Sequence, residues 1–500
     1  MFSRVSLFIG ILCLAAVFSS FYVCDRIYEQ IPHTEDEISY RWQARVFAEG
    51  KYFIPSPPHA ANTFVPFVID YEGRRFSKYP PGWPLILSLG VRAGLDTWVN
   101  PLLAGLCVLL AYLLGKRLVS EAAGLIAAAL MVTSPFFLLN SGSFLSSNLS
   151  LALTGVFALA WLEAFSQPVP RFPILYAILA GTSLGWLALT RPLTALGVAL
   201  PFGIHGLVLL WREDWTVRRR VLLVGGLAAI LAGLLPVWQY LVTGQPFLDP
   251  YALWWPFDRL GFGKGHGISP QGYTWQDAGE NMEIMLNASR RDVFGWGNYS
   301  WILLPFGVWV LRKKKVAWSV IAIFVSLVLT YTLYWAHVTR YGPRYYYEGL
   351  YSLTILSAAG ILWLAGKNRF RIAFATLLMG GLIGYNLFVY LPARLDSARA
   401  IYGITGSQLA LFQAQSAQEL VPALVFVPLS NKTVYGNLYG DWPQYGGLLE
   451  LENPDLTSPF IFAVQRGEAE NNALIQAYPG RRVIYYDPGG VAKLQEKPGN

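Results

Sequence analysis

The sequence predicts an α-helical polytopic membrane protein, with about 11 transmembrane helices and a small C-terminal α/β extracytoplasmic domain. Three observations support this. Of its 500 residues, 54% are hydrophobic and only 14% are charged, whereas a soluble domain has about 25% charged residues. Eleven apolar stretches approach the length of about 20 residues that a bilayer requires. After residue 392 the chain becomes polar, and short β-rich runs alternate with helical ones.

The apolar stretches give the predicted spans directly. The first, near the N-terminus, is expected to remain as an uncleaved helix, because it is long enough to span and no small-residue cleavage site follows it. The stretch 83–95 is short and contains Pro84, so a re-entrant or interfacial segment is expected there. The predicted spans are 5–23, 98–115, 122–139, 144–165, 172–189, 193–211, 221–243, 298–311, 316–336, 345–365 and 370–391.

The orientation follows from basic residues in short loops, which favour the cytoplasmic side. If the N-terminus is cytoplasmic, every basic cluster at a helix end falls on that side. The loops 24–97 and 244–297, the segment 337–344 and the tail then lie outside. We expect a multi-pass protein of a bacterial inner or plasma membrane. The clusters comprise Lys116, Arg117, Arg171, Arg212, Arg218, Arg219, Arg220, Arg312, Lys313, Lys314, Lys315, Lys367, Arg369 and Arg371.

The domain organisation predicted from composition has two parts. Residues 1–392 form a transmembrane catalytic domain, and residues 393–500 form an extracytoplasmic α/β domain. Strands are expected at 423–427, 460–464 and 482–486, with helices at 407–419 and 468–477. The tail has no glycine-rich nucleotide fingerprint. Without basic runs on a soluble domain, nucleic acid is excluded as a partner.

Asp36 and Glu37 lie just past the first predicted span, in the loop 24–97. Acids at a membrane surface are costly to desolvate and often mark a functional site. A carboxylate there can take a proton from a hydroxyl group, and general-base assistance of this kind is worth ~10²–10⁴-fold in rate. We expect both residues to be catalytic. The alternative is that both acids only face water.

Four basic residues on the predicted outer side are candidates for binding a phosphate. Lys78 precedes a rigid Tyr-Pro-Pro-Gly-Trp-Pro turn at the membrane surface, where a cation can hold a lipid phosphate. Arg191 ends a span, and Arg340 and Arg344 share one short outer segment. Guanidinium groups form paired hydrogen bonds with phosphate. The alternative for Lys78 and Arg191 is anchoring at the interface.

Further candidates for substrate binding lie beside these cations. They are Tyr79, Tyr345, Glu348 and His266. Glu348 follows Arg344 by four residues, so a structural ion pair along a helix is an alternative. His266 lies in the long loop 244–297, which is rich in glycine and tryptophan and is expected to close over the site. No metal site is assigned; the sequence predicts no cofactor with certainty, and a divalent metal is a possible one. Three cysteines give no disulfide framework.

Together these elements resemble the GT-C superfamily of integral-membrane glycosyltransferases, in the family 39-like branch with protein O-mannosyltransferases and lipid A aminoarabinose transferases. The resemblance covers residues 1–392. It implies a polyprenyl-phosphate sugar donor, inversion at the anomeric carbon, Asp36 as the catalytic carboxylate, and membrane-surface helices within 40–80. The residues that carry it are Asp36, Glu37, Tyr40, Ala44, Ala48, Glu49, Gly50, Lys78, Tyr79, Pro80, Pro81, Thr190, Arg191, Pro192, Arg344 and Tyr345.

The sequence departs from that pattern at two places. Ser77 precedes Lys78, where aminoarabinose transferases carry an acid, and the turn at 142–148 lacks the histidine that relatives often show. These departures weigh against a metal site and against that particular sugar. The departures leave the donor's sugar and the acceptor open, and the acceptor is expected to be a glycan, a lipid or a protein.

We therefore expect an enzyme that transfers a hexose or pentose from a polyprenyl-phosphate-linked donor to an acceptor hydroxyl on the extracytoplasmic face. Two alternatives remain. One is a polysaccharide ligase or polymerase of another membrane fold. The other is a transporter or flippase for lipid-linked sugars, although such proteins tend to show repeated halves with paired broken helices, which this sequence lacks.

Overall fold

The computed structural model describes residues 4–429, 433–434, 438–486 and 494–496. Within these residues, eight helices are long and apolar enough to cross a membrane, or up to nine if a bent helix pair counts as one span. The predicted class, a polytopic helical protein with a small α/β domain, is confirmed. The eight spans are Arg4–Ile27, Asp96–Leu118, Ser147–Ala164, Pro173–Thr190, Pro192–Arg212, Trp215–Thr243, Arg344–Ala365 and Arg369–Gly403.

Three of the eleven predicted spans are shorter or broken in the structure. The stretch 122–139 forms Glu121–Val132 and Pro135–Ser141, which meet at 62°. The residue before a proline is disfavoured in a helix, and the Ser134 side chain caps the new helix by accepting from the Phe137 amide. The stretch 298–311 contains the 3₁₀ turn Gly297–Tyr299 and the short helix Leu304–Leu311. The stretch 316–336 forms the 17-residue helix Lys315–Tyr331.

The chain folds into two compact units that interleave along the sequence. The first, here called the helical unit, comprises Met1–Cys24, Thr97–Leu235 and Arg259–Ala398. The second, called the mixed unit, comprises Asp25–Asp96, Pro236–Asp258 and Arg399–Asn500. The first predicted outer loop therefore folds with the tail. The predicted domains, residues 1–392 and 393–500, are two continuous stretches of sequence, whereas the compact units combine several segments. The predicted division stays a prediction.

Close backbone approach organises part of the helical unit. A Cβ atom on Gly307 would lie 2.1 Å from the Leu356 carbonyl oxygen, and one on Gly360 would lie 2.4 Å from the Leu303 carbonyl oxygen. These glycines allow the helices Leu304–Leu311 and Leu350–Ala365 to pack backbone to backbone, as small residues do between membrane helices.

The mixed unit begins with the helix Glu35–Ala48, a three-stranded sheet and the helix Gly82–Ala93. The strand Arg74–Ser77 lies between Ile54–Pro55 and Val68–Tyr71 and is antiparallel to both. Glu72 and Gly73 join two of these strands with φ of 48° and 75°, as a tight hairpin turn requires. The helix agrees with what the family resemblance implies for 40–80, whereas the hairpin was not expected. The hairpin delivers Lys78 and Tyr79 to a buried position.

The C-terminal part of the mixed unit is a small α/β structure, as predicted. Its main sheet has the order Phe460–Gln465, Ala423–Pro428, Arg482–Tyr486, Leu494–Glu496, and the first three strands are parallel. The helix Glu468–Ala477 provides the crossover between two of them. The predicted helix at 407–419 is divided into Gly406–Gln413 and Gln415–Gln418. Leu424, Phe426, Ile461, Ala463 and Leu474 form its core.

The long segment 244–297 has more regular structure than its composition indicated. It contains the short helix Pro250–Trp254 and the 18-residue helix Trp275–Asp292. The latter begins with a capping box between Thr274 and Asp277, and this Thr-x-x-Asp pattern is readable in the sequence. The remaining short elements are Leu391–Asp396, Ile401–Gly403, Thr433–Val434, Leu438–Tyr439, Pro443–Gly446 and Gly447–Leu451.

Candidate active site

Asp36 and Glu37 lie in the first turn of the helix Glu35–Ala48, where the helix dipole stabilises negative charge. Glu37 is 1% exposed. Its Oε2 atom accepts hydrogen bonds from the His33 amide at 3.1 Å and from the Thr34 hydroxyl at 3.0 Å. The Glu37 carboxylate therefore fixes the two residues that precede the helix.

Asp36 has a different environment from its neighbour. It is partly exposed, and the buried Tyr79 hydroxyl donates a hydrogen bond to its Oδ1 atom. Burial and the adjacent Asp36 charge both raise the pKa of Tyr79 well above its usual range. Tyr79 consequently stays protonated and keeps its donor. The result is an oriented carboxylate that solvent can still reach.

Lys78 is buried beside an acid that the sequence analysis did not single out. Its Nζ atom lies 3.6 Å from Asp258 Oδ2, and the two side chains are 3% and 1% exposed. The ring centroids of Phe67 and Trp255 lie 3.6 and 4.6 Å from the ammonium group, at cation–π distance. Burial lowers the pKa of Lys78, while the carboxylates of Asp258 and Asp36 oppose that shift. We call Asp36, Tyr79, Lys78 and Asp258 the carboxylate centre.

Arg191 occupies the junction between the spans Pro173–Thr190 and Pro192–Arg212. The following proline disfavours helical geometry at this residue, and its φ and ψ are −146° and 86°. Its guanidinium lies 3.2 Å from Glu348 Oε1 and also donates to the Arg344 carbonyl oxygen at 3.4 Å. The side chains of Arg191 and Glu348 are 12% and 0% exposed.

Glu348 is anchored from a second direction, because Ser150 donates a hydrogen bond to the same Oε1 atom. Among the residues that the structure describes, its Oε2 atom has no hydrogen-bond partner. The pairing with Arg191 joins positions 157 residues apart, rather than the Arg344 spacing that the sequence had offered as an alternative. We call Arg191, Arg344, Glu348 and Ser150 the arginine centre.

Tyr345 lies against this centre. Its ring stacks on Tyr331 with 4.6 Å between centroids. The Cζ atoms of Arg191 and Arg344 each lie 6.0 Å from the Tyr345 centroid. Arg344 is the first residue of the 3₁₀ helix Arg344–Gly349. Two guanidinium groups from distant segments thus approach one aromatic ring.

Arg340 is exposed and belongs to a turn that other residues hold in place. Its carbonyl oxygen accepts a hydrogen bond of 2.8 Å from Arg394. Arg394 in turn lies 3.3 Å from the Asp292 carboxylate, and Tyr390 donates to Asp292 as well. These contacts fix the backbone on which Arg340 is presented.

His266 lies in a glycine-rich segment, apart from any cluster of metal ligands. Its amide donates to the Gly263 carbonyl oxygen at 3.1 Å. Gly261, Gly263 and Gly265 have φ of 112°, 94° and 86°, values that favour glycine. Within the described residues, no group of three or more His, Cys, Asp or Glu side chains could hold a metal ion.

Sequence reasoning missed Asp258 and Ser150. Asp258 had a readable signal, because an acid that follows Trp254, Trp255 and Phe257 needs a partner if it is buried. Ser150 had none, since a serine inside a span commonly bonds to its own helix. Of the predicted residues, the structure brings Asp36 together with Tyr79, and Arg191 together with Arg344, Tyr345 and Glu348.

Comparison with known sequences gives two matches. The sequence model of the family described as oligosaccharyl transferase STT3, N-terminal, matches residues 96–208. An uncharacterised protein of Shigella flexneri is 31% identical in an alignment of 147 residues, which covers 27% of this chain and 69% of that protein.

Comparison with solved structures gives similarity along nearly the whole chain. ArnT from Cupriavidus metallidurans, bound to undecaprenyl phosphate, matches with a TM-score of 0.61 and 13% identity, over 95% of this chain and 93% of ArnT. The archaeal oligosaccharyltransferase AglB from Archaeoglobus fulgidus, in complex with an inhibitory peptide and a dolichol-phosphate, matches with a TM-score of 0.52 and 12% identity, over 95% and 69% of the two chains. The chain therefore has the GT-C fold of membrane glycosyltransferases and belongs to the same family as the Shigella flexneri protein.

Proposed function

We propose that this protein transfers a sugar from a polyprenyl-phosphate-linked donor to an acceptor hydroxyl, with Asp36 as the catalytic carboxylate. The observation that carries the proposal is the state of Asp36, which is partly exposed yet oriented by Tyr79. Two proteins of similar fold were solved with polyprenyl phosphates, ArnT with undecaprenyl phosphate and AglB with a dolichol-phosphate. These ligands support the proposed type of donor.

The proposed reaction is a single displacement. Asp36 takes the proton of the acceptor hydroxyl, whose oxygen forms a bond to the anomeric carbon of the donor. The bond from that carbon to the phosphate oxygen breaks, and its electron pair leaves with the polyprenyl phosphate. Because attack and departure occur on opposite faces, the anomeric configuration inverts. Glu37 supports this step by holding the first turn of the helix that carries Asp36.

The proposed ligands of the donor phosphate are Arg191, Arg340, Arg344 and Lys78. Arg191 keeps part of its side chain accessible, and Arg340 is exposed on a fixed turn. Guanidinium groups suit phosphate oxygens because they donate in pairs. A phosphate that bound Lys78 would compete with Asp258 for the ammonium group.

The proposed substrate contacts divide by accessibility. Tyr345 and His266 are partly exposed and would touch the donor or the acceptor directly. Tyr79 and Glu348 are 5% and 0% exposed, and each bonds to another candidate residue. We propose that these two act through Asp36 and Arg191.

We also propose the orientation that the basic loops predict. The N-terminus and the basic helix ends face the cytoplasm of a bacterial inner membrane, and the C-terminal α/β part faces outwards. Transfer would then occur on the extracytoplasmic face. Protease protection of a C-terminal epitope in sealed inside-out vesicles tests this orientation directly.

The test of the proposed reaction uses the full chain in lipid nanodiscs. Polyprenyl-phosphate sugars extracted from bacterial membranes serve as donors, together with an extract of cell-envelope acceptors. The measured product is free undecaprenyl phosphate, which every such donor releases, and mass spectrometry identifies the glycosylated acceptor. The wild-type protein is compared with Asp36→Asn, which keeps the shape of the side chain and removes the base.

Release of undecaprenyl phosphate by the wild-type protein, and its loss in Asp36→Asn, would support the proposal. A protein that moved labelled donor across a liposome bilayer without releasing undecaprenyl phosphate would instead be a flippase, and the proposal would be wrong. Equal release by wild type and Asp36→Asn would remove Asp36 from the chemistry.

A further inference from the structure

We infer that Glu348 is a specificity-determining residue that makes the arginine centre prefer a lipid monophosphate over a lipid diphosphate. Glu348 acts through Arg191, whose charge it compensates. This inference rests on the proposed function, since it concerns the phosphate of the proposed donor. It adds the residue that makes the site select the single phosphate of that donor.

Arg191 and Glu348 differ in their accessibility to a ligand. Arg191 retains 12% of its side-chain exposure, whereas Glu348 is fully buried beneath it at 3.2 Å. A phosphate that arrives from outside therefore contacts the guanidinium and not the carboxylate. Glu348 contributes only its charge and its hold on Arg191.

Burial of the Glu348 carboxylate costs free energy, and a role in packing alone would not explain why that cost is met. Ser150 and Arg191 both donate to its Oε1 atom, while Oε2 has no hydrogen-bond partner among the described residues. A buried ion pair is weak evidence for stability, because desolvation offsets the attraction. An ionisable residue at a membrane segment is better explained by a functional charge.

The charge has a direct consequence for ligand choice. A monophosphate-linked lipid carries one negative charge fewer than its diphosphate counterpart. Glu348 repels each additional negative charge near Arg191, and a partly buried site screens this repulsion little. A second phosphate therefore gains less from the cations than it would without Glu348, and its own desolvation opposes binding further.

The test measures binding of two defined lipids, undecaprenyl phosphate and undecaprenyl diphosphate, to the full chain in neutral-lipid nanodiscs. Native mass spectrometry gives both dissociation constants and their ratio. We expect the wild-type protein to bind the monophosphate more tightly. Glu348→Gln removes the negative charge, and we expect it to shift the ratio towards the diphosphate by roughly ten-fold.

Three variants separate charge from structure. Glu348→Asp and Ser150→Ala keep the carboxylate charge while changing its contacts, so the ratio should stay within about two-fold of wild type. The double variant Arg191→Gln/Glu348→Gln removes both charges together. We expect it to bind both lipids more weakly, with a ratio close to that of wild type, and it keeps the inference testable if Glu348→Gln alone fails to fold.

The outcomes distinguish the inference from the proposed function. If Glu348→Gln changes both affinities equally, or if Ser150→Ala shifts the ratio as much, Glu348 does not set the selectivity, although the proposed function stands. If the double variant shifts the ratio ten-fold, charge compensation is likewise overturned. If the wild-type protein binds neither lipid saturably, the proposed function itself fails.

Discussion

The carboxylate centre and the arginine centre each contain a buried ion pair, but the accessible group has the opposite charge in the two centres. In the carboxylate centre the cation Lys78 is 3% exposed and the acid Asp36 is partly exposed. In the arginine centre the acid Glu348 is fully buried and the cation Arg191 is 12% exposed. Each centre thus leaves one proposed reaction group accessible, Asp36 or Arg191, and buries a group of opposite charge, Lys78 or Glu348.

The cations of the two centres, Lys78 and Arg191, are also held by different interactions. Lys78 lies among aromatic rings and forms an ion pair with Asp258, which suits a compact ammonium group. Arg191 forms directional hydrogen bonds to a carboxylate and a carbonyl oxygen, which suits a planar guanidinium. Exchange of these two side chains would therefore be costly although their formal charge is equal.

The strongest test of this contrast is Asp36→Asn. We expect it to reduce sugar transfer ~10²–10⁴-fold, because the proton acceptor is removed while the shape is kept. Release of undecaprenyl phosphate in single-turnover experiments measures the effect. Binding of undecaprenyl phosphate should stay within about two-fold of wild type.

Glu37→Ala is the matched change at the neighbouring acid. Because Glu37 accepts from His33 and Thr34, we expect a loss of about 1–2 kcal/mol in the free energy of unfolding and a smaller fall in transfer than in Asp36→Asn. If Glu37→Ala abolished transfer and Asp36→Asn did not, the assignment of the two acids would be reversed.

The buried pair of the carboxylate centre is expected to affect stability more than Glu37 does. Asp258→Asn leaves the ammonium group of Lys78 buried without its acid, and we expect a loss of about 3 kcal/mol in the free energy of unfolding. Lys78→Met leaves the buried Asp258 carboxylate without the charge of Lys78. The double variant removes both charges and should be more stable than either single variant. Thermal unfolding in detergent measures all three, and additive losses would show that the pair is not coupled.

In the arginine centre the expected effect is on binding. Arg191→Gln should weaken the binding of undecaprenyl phosphate about ten- to a hundred-fold, since a charge-assisted contact is lost. Arg191→Lys should restore little of this affinity, because a lysine cannot reproduce both guanidinium contacts. Arg219→Gln, at an exposed arginine of a different helix end, is the control. Equal affinity in Arg191→Gln and Arg219→Gln would exclude Arg191 as a phosphate ligand.

The last prediction concerns a third kind of buried acid, one whose raised pKa keeps it neutral below about pH 8. Burial raises the pKa of Glu452 to about 8, against the effect of its bond from the Phe462 amide and of the charges on Arg75 and Arg481. The folded state therefore keeps a proton that the unfolded state releases near 4.5. Its stabilising contribution is complete below that value and is lost as the pH rises towards 8.

We therefore expect the unfolding temperature of the wild-type protein to fall by a few degrees between about pH 5 and 8. Glu452→Gln, which mimics the neutral acid, should remove most of this dependence. Differential scanning fluorimetry across this pH range checks both proteins. An unchanged slope in Glu452→Gln would show that Glu452 is charged in the folded protein.

Much of the fold was predictable because its signals are local. Apolar length indicated the spans, and turn residues bounded the strands Ala423–Pro428, Phe460–Gln465 and Arg482–Tyr486. The bend at Pro135 and the helix Trp275–Asp292 were not predicted. The bend depends on which groups supply the hydrogen bonds that the interrupted helix lacks. The helix Trp275–Asp292 was missed because its composition is amphipathic rather than apolar, although Thr274 and Asp277 marked its start.

The sequence alone determined the membrane class, the C-terminal α/β part and the types of side chain available for chemistry. The length, periodicity and composition of a segment can be read from residues that are close together in the chain. Only the tertiary structure decided which side chains interact with one another. Tyr79 reaches Asp36 across 43 residues and Arg191 reaches Glu348 across 157. Such pairings depend on which surfaces pack together, and burial then makes each charged group costly unless its partner is in place.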